Sequence, residues 1–200
     1  MKNYKKYQLK LFCTILILAL FSTIGLGQNK KVNFVGNRTE KKAEKSNYIV
    51  HDQGDYIVLY NKKNSLMIYE SDFERRIGFT YVDEIIKFND RSKIDSLVIE
   101  FIAPYYRKLK SKYTDDILSF QITFYAKTDG KICELSFSFI KDTNIPFKSI
   151  EKLEDAILAL GLKLVFYNPN SYIVKDVLWV YYPYSISVAR MKEKLKEKSE

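Results

Sequence analysis

Apolar and polar positions alternate most regularly between Ser119 and Ile140. Phe120, Ile122, Phe124 and Ala126 share one parity, and Gln121, Thr123 and Tyr125 the other. Beyond Thr128-Asp129-Gly130-Lys131 the alternation resumes, with Cys133, Leu135, Phe137 and Phe139 against Glu134, Ser136 and Ser138. A period of two marks strands, and Asp-Gly between two such runs marks a hairpin. Asp129-Gly130 suits a type I′ turn. Centring the turn there sets Phe120 opposite Phe139, Ile122 opposite Phe137, Phe124 opposite Leu135 and Ala126 opposite Cys133. One face is then apolar and the other mostly polar, and a slip of one residue would mix them.

The remaining pattern fills in an α+β plan. Residues 48–51, 55–60 and 65–70 are rich in Ile, Val, Tyr and Leu, broken by Gln53-Gly54 and Asn61-Lys62-Lys63-Asn64, so three short strands are expected. Residues 73–88 are ambiguous, with Ile77, Tyr81, Ile85 and Phe88 at partial helical spacing. Residues 92–109 predict a helix with Ile94, Leu97, Val98, Phe101 and Ile102 on one face. Asp90 or Ser92 supplies its N-cap, and Pro104 ends or kinks it near Ala103. Residues 148–160 predict a second helix, whose Ile150, Leu153, Ile157 and Leu160 can cover the apolar side of the hairpin. Pro146 suits its start and Gly161 its stop. Residues 162–167, 172–175 and 177–182 read as strands, the first two flanking an Asn168-Pro169-Asn170-Ser171 turn. A charged helix over 187–200, with a thin seam of Val188, Met191 and Leu195, is expected to fray. The expected domain spans 47–186 and is α+β, an antiparallel sheet packed on two helices with extra N-terminal strands.

The N-terminus bears on where the chain works. Lys2, Lys5, Lys6 and Lys10 precede residues 11–20, LFCTILILAL, which are apolar apart from Thr14. Gly25-Leu26-Gly27 then leads to Gln28. This is the order of a secretory signal over 1–27, with cleavage between Gly27 and Gln28. It predicts an exported protein, periplasmic or at the outer surface. The competing expectation is an uncleaved anchor over 11–27, close to the lower limit of about 17–25 residues for a span. Cys13 stands too early in the apolar run for lipid attachment. After cleavage Cys133 is the remaining cysteine, so no internal disulfide is expected. Residues 28–46 are polar and basic, without apolar periodicity after Val35, and read as a flexible tether.

The formal charge of +9 comes from 33 basic and 24 acidic residues. It gathers at the ends, in residues 1–45 and 190–200, while the body between them is close to neutral. A nucleic-acid binder carries its basic face on the folded body, so nucleic acid is not an expected partner. Membrane contact is expected only through the N-terminal segment, if that segment stays uncleaved.

From residue 92 onward the order is helix, hairpin, helix, strand, strand. Phe120-Gln121-Ile122-Thr123-Phe124, Thr128-Asp129-Gly130-Lys131-Ile132, the helix through Ala156, Leu162-Lys163-Leu164-Val165-Phe166 and the closing strand at 177–182 resemble the C-terminal domain of TonB-type energy transducers. The resemblance covers residues 92–186. It implies the order helix-strand-strand-helix-strand and an envelope or outer-membrane protein as partner. Residues 28–46 depart from that family, lacking its Pro-rich spacer, and the strands at 48–70 are additional. The chain is also similar to small secreted proteins of Gram-negative gut bacteria.

Candidate chemistry is sparse. His51 is the single histidine, so a Ser-His-Asp or Cys-His system would have to use it, with Asp52 and Asp55 nearby. A strand-end surface histidine is the stronger reading. Cys133 reads as a neutral core thiol. Asp83-Glu84 and Asp115-Asp116 lack calcium-loop spacing. Gly36, Gly54, Gly78, Gly130 and Gly161 form neither a phosphate loop nor a dinucleotide fingerprint. No catalytic residue, cofactor or metal is assigned. Aromatics carry more weight. In Trp179-Val180-Tyr181-Tyr182-Pro183-Tyr184, Trp179 and Tyr181 fall on one strand face, Val180 and Tyr182 on the other. Both faces cannot be fully buried in a two-layer domain, so exposed rings are expected. The expected function is a non-enzymatic protein-binding module of the cell envelope. It would bind by strand addition at 177–182, with Trp179, Tyr181, Tyr182 and Tyr184 as contact residues. The alternatives are a secreted glycan-binding module using the same rings, or a hydrolase that depends on His51.

Overall fold

The computed structural model describes residues 37–78, 80–107, 109 and 118–197. The expected signal, its Gly27/Gln28 junction and Asp115-Asp116 lie outside them. One antiparallel sheet dominates. Its six strands are β1 (Asn37–Lys42), β2 (Asn47–Asp52), β3 (Tyr56–Asn61), β5 (Leu118–Ala126), β6 (Ile132–Ile140) and β8 (Val180–Ser187). They stand in the order β1-β2-β3-β6-β5-β8. A two-stranded sheet pairs β4 (Ile86–Lys87) with β7 (Val165–Phe166).

The hairpin β5–β6 has the expected register from Phe120↔Phe139 to Tyr125↔Glu134, then slips by one. Ala126 faces Ile132, not Cys133, whose thiol turns to the Lys131 carbonyl at 3.3 Å. The turn explains the slip. Gly130 is left-handed at φ 79° while Asp129 is not, which excludes type I′. Lys127 N–H bonds Lys131 O at 3.1 Å and Gly130 N–H bonds Lys127 O at 2.9 Å, closing a three-residue loop with a bulge. Gly130 has a second constraint. Its carbonyl accepts Leu164 N–H at 2.9 Å, and a Cβ there would lie 2.1 Å from Leu164 O.

Helices cover one face of the sheet. They are α3 (Arg91–Phe101), α4 (Ala103–Tyr106), α5 (Phe147–Ala159) and α6 (Val188–Glu197). The break at Ile102 comes where Pro104 removes a helix N–H. Phe120, Ile122, Phe124, Leu135, Phe137 and Phe139 are buried there with Ile94, Val98, Ile150, Leu153, Val188 and Met191. Each such large apolar side chain contributes about 1.5–3 kcal/mol on burial.

The opposite face is closed by an irregular segment and the short helix that follows it. Residues 65–70, expected as a strand, instead form an irregular segment ahead of α1 (Asp72–Ile77). The reason is Glu134. Its carboxylate accepts the N–H groups of Ser65 at 2.6 Å, Leu66 at 2.9 Å and Met67 at 3.1 Å, so these donors turn toward the sheet face rather than along a ladder. Met67 then packs with Ile49 and Tyr60 in a second, smaller cluster.

Three further expectations are corrected. The tether 28–46 is not loose throughout, because β1 begins at Asn37. β1 is exposed at every position and is held by its ladder to β2 and by the Lys62–Glu40 ion pair at 2.8 Å, which apolar periodicity could not reveal. Residues 172–175 form a turn, not a strand. The last strand starts at Val180 and runs through Pro183 to Ser187. Proline is tolerated there because β8 is an edge. The hairpin β1–β2 is clasped to α5, where the buried Glu151 accepts N–H groups of Glu44 at 3.0 Å, Lys45 at 3.0 Å and Ser46 at 2.6 Å. No helix of the described residues is long and apolar enough to cross a membrane.

Candidate functional site

The four aromatic contact residues expected at 177–184 are mostly inside. Trp179 is 1% exposed, its indole N–H donating to Tyr69 O at 3.1 Å and its carbonyl accepting from Ser71 Oγ at 2.6 Å. Tyr125 meets it edge-on at 5.2 Å between ring centroids. Tyr181 is half-buried with the edge of Phe73 at 5.3 Å. Tyr182 and Tyr184 are buried on the helix side. Their hydroxyls donate to Asp83 at 2.7 Å and Asp95 at 2.6 Å. Burial first, and then Asp83, pushes the Tyr182 phenol up to about 12. Burial and Asp95 likewise raise Tyr184. Both rings are neutral donors that tie β8 to the residues around α3. The expectation of exposed rings in this strand therefore fails, because residues 65–71 and α1 supply a third layer that covers Trp179 and half-covers Tyr181.

His51 is also inside, not at a strand-end surface. It stacks on Tyr60 at 5.8 Å, faces Arg38 of β1, and has its pKa lowered by burial and then by Arg38. Asp52 is held by Lys141. Cys133 is half-buried. Among the described residues no three of His, Cys, Asp or Glu gather as metal ligands.

The exposed large apolar side chains lie elsewhere, most of them close together in sequence. Among the described residues the large ones are Leu158, Leu160, Val165, Tyr167, Tyr172 and Leu178, all within 158–178, and Tyr81. Tyr81 precedes α2 (Val82–Ile85), which leads into β4, the strand that pairs with β7 in this same stretch. Local physics builds this rim step by step. Gly161, at φ 60°, ends α5 and leaves Leu158 and Leu160 at the helix terminus. The bond from Leu164 N–H to Gly130 O then pins the chain to the hairpin tip. Leu162 and Leu164 point in, so the opposite parity turns Val165 (47% exposed) and Tyr167 (62%) out. Tyr167 N–H donates to Ile85 O at 3.1 Å. Arg76 donates to the carbonyls of Tyr172 at 2.7 Å and Lys175 at 2.6 Å, fixing the loop that shows the Tyr172 ring (71% exposed). A cavity of about 130 Å³ lies between the α5 terminus and the hairpin tip, lined in part by Leu158, Leu162 and Lys131.

One signal for this rim was present in the sequence. Residues 162–167 place apolar side chains on both parities, so one set must face out. Tyr81 gave no such signal. Its helical spacing from Ile77 is cancelled by Gly78, at φ 54°, which separates α1 from α2.

No family model matches the chain, and no curated protein matches it. Among solved structures, it is similar to a DUF5043 family protein from Bacteroides uniformis ATCC 8492. The TM-score is 0.54 at 17% identity, over 80% of this chain and 97% of that one. The likeness is one of fold.

Proposed function

We propose that this chain is an exported, non-enzymatic protein-binding module of the cell envelope, and that it meets its partner through the rim of Tyr81, Tyr167 and Tyr172 with Val165 and Leu178. The observation that carries this reading is the concentration of exposed large apolar side chains on 158–178 and its neighbour Tyr81. Rigid aromatic rings set among polar surface are favoured anchors at interfaces. The lysines before the apolar run 11–20 support export, and the resemblance to TonB-type C-terminal domains directs the proposal to an envelope protein as partner.

Contact through side chains suits the surface better than strand addition at 177–182. There the Trp179 carbonyl is engaged by Ser71, and Pro183 interrupts the row of donors on β8. The exposed tyrosines also favour a second reading, stacking on sugar rings in a glycan-binding module.

The test is crosslinking in intact cells followed by capture and mass spectrometry, with the native chain beside Tyr81→Ser/Tyr167→Ser/Tyr172→Ser. An envelope protein recovered with the native chain and lost from the triple variant supports the proposal. Equal recovery from both overturns it. Saturable binding of purified oligosaccharides that the triple variant loses, without any protein partner, moves the assignment to the glycan reading.

A further inference from the structure

A separate feature lies between α4 and α6, which pack on each other. Among the described residues, Arg107, Lys192, Leu195 and Lys196 line a groove of about 380 Å³ there. Its construction is local. Lys192, Leu195 and Lys196 stand at i, i+3 and i+4 on α6 and so share one face. Val188 and Met191 bury the inner side of that helix. Arg107 enters from the end of α4.

Two nearby charges are paired. Arg190 is paired with Asp95, and Lys194 with Glu197 at 2.6 Å. Arg107 and Lys192 form no ion pair with a described residue, and no acidic side chain is among the described lining residues. A guanidinium fork and an ammonium beside one leucine favour an anionic oxygen group carrying an apolar tail. The volume falls at the small end of ligand sites.

We infer that this groove binds a small anionic amphiphile, a phosphomonoester on an aliphatic chain, with Arg107 and Lys192 on the phosphate and Leu195 against the chain. The inference is independent of the tyrosine rim.

The test is titration of the full chain with hexyl phosphate, followed by amide NMR shifts in α6. Hexyl glucoside and inorganic phosphate are run in parallel. The expected result is a saturable shift with hexyl phosphate, at least about tenfold weaker for both comparison compounds. Arg107→Gln/Lys192→Gln should weaken it by at least about tenfold, while Lys194→Gln leaves it unchanged. Trp179 fluorescence reports that each variant is folded. Equal binding of hexyl glucoside would mean plain apolar adsorption and overturn the proposal. Equal binding of inorganic phosphate would make the ligand free phosphate and overturn the amphiphile. An absent shift, or one indifferent to Arg107→Gln/Lys192→Gln, overturns the site altogether.

Discussion

On the helix side of the sheet, Phe120, Phe124, Phe137 and Phe139 lie against α3, α5 and α6 in one continuous core. On the other side, Ile49 and Tyr60 meet Met67 and Ile68 from an irregular segment, and Glu134 holds that segment by three backbone N–H groups. The first face is closed by many non-directional contacts. The second depends on a few directional bonds to one carboxylate. A helix satisfies its own backbone and needs only an apolar stripe to dock, whereas an irregular segment needs partners for each buried N–H.

The largest effect should come from the helix side. Phe137→Ala empties a fully packed site and should cost about 3–5 kcal/mol, read from urea unfolding. Glu134→Ala strips the other face of its clasp and should cost about 1–3 kcal/mol. Its signature is local. Amides of Ser65, Leu66 and Met67 should lose hydrogen-exchange protection while those of β5 keep theirs. Uniform loss of protection over both faces would show that the two faces do not close separately.

The α5 clasp sharpens the comparison through pH. Burial works to raise the Glu151 pKa, but the N–H groups of Lys45, Ser46 and Glu44 outweigh it and hold the carboxyl below its usual range. Its contribution is therefore present above the unfolded carboxyl pKa and is lost as pH falls through the lower folded value. Glu151→Gln should cost about 1–3 kcal/mol near neutrality and less in acid. Glu154 has the opposite sign. Burial raises it despite hydrogen bonds from Tyr48 at 2.5 Å and Asn61 at 3.1 Å. Its contribution is full below the unfolded carboxyl pKa and is lost as pH rises through the folded value. Relative to the native chain, Glu154→Gln should gain stability between acid and neutral pH. Urea midpoints over that range distinguish the two, and parallel profiles would refute the assignment.

The smallest effect is expected at the rim. Tyr167→Ser and Tyr172→Ser remove rings that bury little, and stability should stay within about 0.5 kcal/mol. A larger loss would place these rings in the core and remove the basis for a contact surface.

The helix-side face was legible in the chain because its elements obey local periods. The β5–β6 pairing from Phe120 to Tyr125, the helix near 148–160 and the break at Pro104 each follow from residues close in sequence. The second face was not. Residues 65–70 have strand composition, yet their N–H groups are taken by Glu134, almost seventy residues away. Trp179 and Tyr184 looked like surface rings only while the sheet was given one covering layer.

Sequence alone determined the α+β class, the hairpin, the docking helices and the placing of positive charge at the ends, since all rest on local periodicity and composition. Tertiary structure alone decided that β1 joins the sheet, that Gly130 must admit the Leu164 backbone, that His51 is enclosed, and which tyrosines face water. Those outcomes depend on groups distant in sequence meeting, and such a meeting leaves no period in the chain.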